Sequence, residues 1–245
     1  KRCQYPRIDY AVDLQSNPER KTSGTLTLTI WSLENSDTLP EDLEPIFKKL
    51  LCGVFLKPND APPYSLSWAR SDAFNEEHGD NIVIGIVLTF DVYGFPNQIT
   101  SDPDPVLAIN AYIKKLEPNA AIIGSDDFEE TLVPNAQNPA FYLRLESIQT
   151  QRETNTVAWM DAVLAGHIFA EDDATKWLKI LVDTLALDGE VTMLDTSPMF
   201  ITSLKADNTL DALSVGQLRI FVRFGILRRK PFAHELKANV DYTTI

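Results

Sequence analysis

Residues 43–54, LEPIFKKLLCGV, and residues 174–185, ATKWLKILVDTL, set their apolar side chains on one ladder. Leu43, Ile46, Phe47, Leu50, Leu51 and Val54 stand at i, i+3, i+4, i+7, i+8 and i+11. Ala174, Trp177, Leu178, Leu181, Val182 and Leu185 repeat those intervals 131 positions later. Each set makes one apolar stripe on a helix of about 3.6 residues per turn. Any two amphipathic helices would match this far. The flanking segments match as well, and that limits the fold: whatever one stretch forms, a second stretch of similar length forms again.

In the first stretch, YPRIDYAVDL (5–14) alternates and reads as a strand. TLTLTIWS (25–32) follows, with Leu26, Leu28 and Ile30 facing one way and Thr25, Thr27, Thr29 and Trp31 the other. After the helix, which carries Pro45 in its expected first turn, come the turn KPNDAPP and two more strands, YSLSWARSDAF (64–74) and NIVIGIVLTFDVYGF (81–95). The second stretch runs through the same elements. PAFYLRLES (139–147) parallels PRIDYAVDL, QTQRETNT is its polar connector, and VAWMDAVLAGHIFA (157–170) parallels the threonine-rich strand. Asp172 or Asp173 is placed to cap the helix. SPMFITSLKADNTL (197–210) and GQLRIFVRFGILRRKP (216–231) complete the set, both at an offset of 135 that brings Pro96 onto Pro231. Five segments in one order, at offsets between 131 and 138, point to a tandem duplication.

Between the copies, DPDP (102–105) is a linker and cap signal, and VLAINAYIKKL (106–116) reads as a helix with Ile109, Tyr112, Ile113 and Leu116 on one side. An acidic loop with prolines leads into the second copy. The expected fold is α+β: two copies of a unit ordered α-β-β-α-β-β, each with helices on one face of an antiparallel sheet. The expected boundaries are 1–101 and 102–245, the latter with a C-terminal tail. The leading helix of copy two has no counterpart in copy one. The chain opens on Lys1 and not on methionine; either the counterpart precedes Lys1, the reading the missing methionine favours, or copy one never had it.

Charge narrows the partners. The 245 residues carry 22 basic and 35 acidic side chains, a net charge of −13. Residues 1–101 hold 9 basic and 14 acidic groups and the remainder 13 and 21, so both halves repel phosphate. Two cysteines, Cys3 and Cys52, make no disulfide framework, and no apolar run approaches the length of a membrane span. Assembly in the cytosol is expected.

Residues that carry chemistry are sparse. Of three histidines, His167 reads as a structural, partly buried residue of a strand, while His78 in a turn and His234 in the tail read as solvated. Cys52 falls near the helix stripe as a core residue. The clusters GSDDFEE (124–130) and EDD (171–173) lack the alternating ligands and fixed glycine of a calcium loop. There is no glycine-rich phosphate loop, no G-x-S-x-G and no C-x-x-C, and only 10 glycines in all. The expectation is a protein with no catalytic residues, no metal and no cofactor.

One basic feature stands out. Arg219 and Arg223 share a face with Phe221, and Arg228, Arg229 and Lys230 follow. The feature is a solvated sheet face or a basic strip meeting an acidic patch on a neighbouring subunit, ahead of a nucleic-acid groove, whose aromatic platform is missing. Trp31 with Thr25 and Thr27, and the apolar strand Ile82–Phe90, are the expected apolar patches buried on assembly. The candidate interface residues are therefore Arg219, Phe221, Arg223, Arg228, Arg229, Trp31 and Thr27.

From Asp104 to Pro231 the chain resembles the tail-terminator, or tail-completion, proteins of tailed bacteriophages. The resemblance rests on the leading helix DPVLAINAYIKKL, the strand NPAFYLRLES, the strand and helix VLAGHIFAEDDATKWLKILVDTLAL, and the closing VGQLRIFVRFGILRRK. It implies a ring, commonly hexameric, that caps the tail tube, stops its growth and joins the tail to the neck. It implies no catalytic residues, a lumen through which DNA slides without specific binding, and a place in the virion. The duplication departs from a single-domain member, so three chains in a pseudo-sixfold ring and six in two tiers both fit. The alternatives are another phage ring component (neck, baseplate or tube–sheath adaptor), a non-phage α+β ligand-binding protein, or an enzyme with an unrecognised acidic site.

Overall fold

Alternating apolar runs become strands here because each has one face to bury, and the helical ladders supply what buries it. The computed structural model describes residues 5–14, 22–59, 61–78, 81–98 and 100–228. The first sheet is built mainly from β1 (Arg7–Leu14), β2 (Thr22–Leu33), β3 (Phe55–Leu56), β4 (Tyr64–His78) and β5 (Asn81–Gly94), with helix α1 (Pro40–Leu51) against it. Helix α2 (Pro105–Leu116) and two short strands, β6 (Ala121–Ile122) and β7 (Thr131–Leu132), come next. The second sheet is built mainly from β8 (Ala140–Glu153), β9 (Val157–Phe169), β10 (Glu190–Thr192), β11 (Pro198–Ala206) and β12 (Leu218–Leu227), with helix α3 (Ala174–Asp188). The protein is α+β, with three helices and two six-stranded sheets among the described residues.

The sheets run β1-β2-β5-β4-β3-β7 and β10-β11-β12-β9-β8-β6. Reversed, the second reads β8-β9-β12-β11-β10, strand for strand the order of the first. The ladders within these two five-strand orders are antiparallel, while β6 joins β8 in parallel. Both fourth strands carry a bulge at the same rung: β4 between Trp68 (opposite Phe90) and Arg70, β11 between Ile201 (opposite Val222) and Ser203. These rungs pair Phe90 with Val222 and Leu88 with Ile220, an offset of 132. The expected offset of 135 sets Leu88 against Arg223 instead. An odd slip turns every side chain to the wrong face, so the structure corrects that alignment.

The helices start and stop for local reasons. Pro40 takes the first position of α1, and the carboxylate of Asp42 accepts the N–H of Leu39 at 3.1 Å. Glu41 and Asp42 sit in the first turn and Lys48 and Lys49 in the last, in line with the helix dipole. Pro45 therefore lies inside the helix rather than in its first turn. In α2, Asp104 caps the N–H groups of Val106 and Leu107 at 2.8 and 3.1 Å. Asp173 occupies the cap position of α3 but makes no side-chain cap bond there. Gly189 ends α3 at φ 69°, a left-handed conformation that suits glycine.

Packing follows the two sheets. Leu28, Ile30, Leu66, Ile86, Leu88, Phe90 and Val92 form the first core with Leu43, Phe47 and Leu51 of α1. Only every fourth residue of that helix packs: Ile46 and Leu50, expected on the buried stripe, are 51 and 61 % exposed. Cys52 joins the edge of this core. The second core is larger, because α2 and α3 both cover the sheet; Val106, Ile109 and Ile113 meet Phe141 and Leu143, and Leu178, Leu181 and Leu185 pack beside them. Strand β8 continues through Glu153, so most of the expected connector QTQRETNT is exposed strand. β3, β6, β7 and β10 are short strands where only loops were expected.

A third core joins the halves. Phe55 of β3, Phe95 after β5, Tyr142 of β8 and Phe169 of β9 meet edge to face. Phe95 stands 5.1 Å from Phe55, 5.1 Å from Tyr142 and 5.7 Å from Phe169. Polar bonds cross the same seam: the Tyr142 hydroxyl donates to the Pro96 carbonyl at 2.9 Å, and the Leu145 N–H donates to Gln98 Oε1 at 3.1 Å. β7, from beyond residue 102, adds itself to β3, pairing Leu132 with Phe55. Phe95→Ala is expected to destabilise the chain by about 3–5 kcal/mol, as for other buried phenylalanines. Urea unfolding measures it, and a loss under about 1 kcal/mol would show that the seam contributes little.

Candidate assembly interface

Of the expected interface residues, Arg219, Phe221, Arg223, Trp31 and Thr27 fall on the helix-free faces of the two sheets. On β12, Leu218, Ile220, Val222 and Phe224 point into the core, so Arg219, Phe221 and Arg223 point away from it. Ladder register sets Arg223 opposite Asp161 of β9, and the guanidinium grips both carboxylate oxygens at 2.7 and 3.1 Å. That bond to Asp161 raises the pKa of Arg223 above its ordinary value. Arg219 pairs with Glu146 of β8 at 2.6 Å and also donates to the carbonyls of Val215, Gly216 and Leu218. Arg228 pairs with Glu153. The ammonium of Lys205 lies 5.2 Å over the ring of Phe221. The strip is thus a row of cross-strand ion pairs rather than free positive charge. Arg229 lies outside the described residues.

Trp31 and Thr27 belong to the first sheet, on the face of β2 opposite α1. Trp31 is half-buried and meets Phe74 edge to face at 4.8 Å, and its indole N–H is buried without a hydrogen-bond partner. Gly85, between them on β5, leaves room for that contact: a Cβ would stand 2.2 Å from the ring of Phe74, which would have to move. The six described candidates therefore divide between the two halves and do not form one patch along a shared strand ladder. The strand Ile82–Phe90 is also corrected as an assembly face. It is the centre of β5, flanked by β2 and β4, with Val83, Ile86, Leu88 and Phe90 buried and only Ile82 strongly exposed.

The residues that are apolar and exposed lie elsewhere. Ile8, Tyr10, Val12 and Leu14 form one face of β1, and sequence reasoning passed over them. Their strict alternation was the available signal. Leu50, Val54, Val133 and Phe169 help line an open groove of about 690 Å³ between α1, β7 and the end of β9.

The polar groups that could carry chemistry serve the fold. His167 is fully buried, its Nδ1 2.6 Å from the carbonyl of Ala212 and its ring against Tyr142. Gly216, at φ 85°, lets the 207–217 loop close over that ring, since a Cβ would fall 2.7 Å from it. Gln217 completes the closure by bonding both the N–H and the carbonyl of Ile168, at 3.0 and 3.1 Å. In the acidic loop, Asp126 accepts the N–H of Ile122 and pairs with Lys114 at 2.7 Å, and Asp127 pairs with Lys57. No three His, Cys, Asp or Glu side chains are grouped to hold a metal among the described residues, and no helix there is long and apolar enough to cross a membrane.

Tyr142 is the group whose titration reports on the seam. Burial pushes its pKa up to about 12, which favours the neutral phenol in the folded state. Its contribution to stability is complete below about pH 10, the ordinary tyrosine value, and is lost as pH rises through 12. Stability measured by urea unfolding is expected to fall between pH 10 and about 12, and to fall less in Tyr142→Phe. An identical profile for both proteins would refute this assignment. Comparison with family models, with curated proteins and with solved structures finds no match to this chain.

Proposed function

We propose that residues 1–101 and 102–245 are two copies of one α+β unit, and that the chain is a structural subunit of a ring at the head-proximal end of a bacteriophage tail. There it ends growth of the tube and joins tail to neck, inside a virion assembled in the host cytoplasm. The observation that carries the reading is the recurrence of one strand order, β1-β2-β5-β4-β3 and β8-β9-β12-β11-β10, with a helix after each second strand and a bulge at the same rung of each fourth. A chain of two like but non-identical units offers complementary rather than identical surfaces, as closed head-to-tail rings require.

Three such chains make one pseudo-sixfold ring, and six make two tiers. The net charge of −13 suits a lumen through which DNA passes without being held. Tail tube and neck or sheath proteins are the partners, and the role needs no catalytic residue, metal or cofactor.

Native mass spectrometry of the purified chain across a salt series is expected to give a closed multiple of three or six. Because Arg219, Arg223 and Arg228 are already paired within the chain, the assembly should persist as salt rises. A chain that stays monomeric from micromolar to millimolar concentration at every ionic strength would overturn the ring reading.

A further inference from the structure

We draw no further inference here: the strongest candidate, the open groove of about 690 Å³ between α1, β7 and the end of β9, lined in part by the exposed Leu50 and Val133, is an apolar surface, and nothing in the structure shows what covers it.

Discussion

The edge-to-face packing of Phe95 on Phe55, Tyr142 and Phe169 is the contact on which the rest of the arrangement depends. The core of each sheet does not draw on both halves of the chain. The aromatic seam does, because its four rings come from both halves and from four separate stretches of chain. Such pairs contribute about 0.5–1.5 kcal/mol each beyond area burial, and the backbone bonds of β7 to β3 lock the same junction in register. Two sheets that only touched through a linker would rotate freely. Two sheets wedged on buried rings, with Tyr142 bonded to Pro96 and Leu145 to Gln98, hold one geometry.

The described arginines of the strip are paired within this frame. A row of arginines on a strand reads as a basic strip when neighbouring strands are unknown. Folding sets β9 and β8 beside β12, and the carboxylates of Asp161 and Glu146 fall within reach of Arg223 and Arg219. Each pair is partly exposed, so its contribution to stability is small. Its effect on recognition is larger, because a guanidinium already gripping a carboxylate has little field left to attract an acidic surface. Among the described residues, the exposed apolar row of β1 is less satisfied by its surroundings than the arginine strip.

Much of this fold was legible because periodicity survives in each element separately. Leu26, Leu28 and Ile30 alternate toward one side, and they are the residues that face α1. Asp104 and Pro105 announce the start of α2. What sequence could not supply was register. Matching β5 to β12 by their closing prolines slipped the pair by an odd number of residues, since nothing local distinguishes Leu88 beside Ile220 from Leu88 beside Arg223. The seam was hidden for a related reason: Phe55, Phe95, Tyr142 and Phe169 follow no shared period, being gathered only when the halves meet. The central position of β5 was likewise invisible, so a strand apolar on both faces read as an assembly surface.

The two halves share a strand order but not a cover, and that asymmetry distributes stability unevenly. One helix on the first sheet leaves seven buried residues in its core, while two helices on the second leave 21. Apolar burial is the main source of folding free energy, so the first half has less of its own and leans on the seam it shares with its neighbour. Regions with fewer buried apolar contacts open locally at lower cost. Among the described strands, the edge strand β1 is exposed along its apolar face and pairs with β2 alone. Any cover on that face would complete the smaller core on the side where α2 completes the larger one.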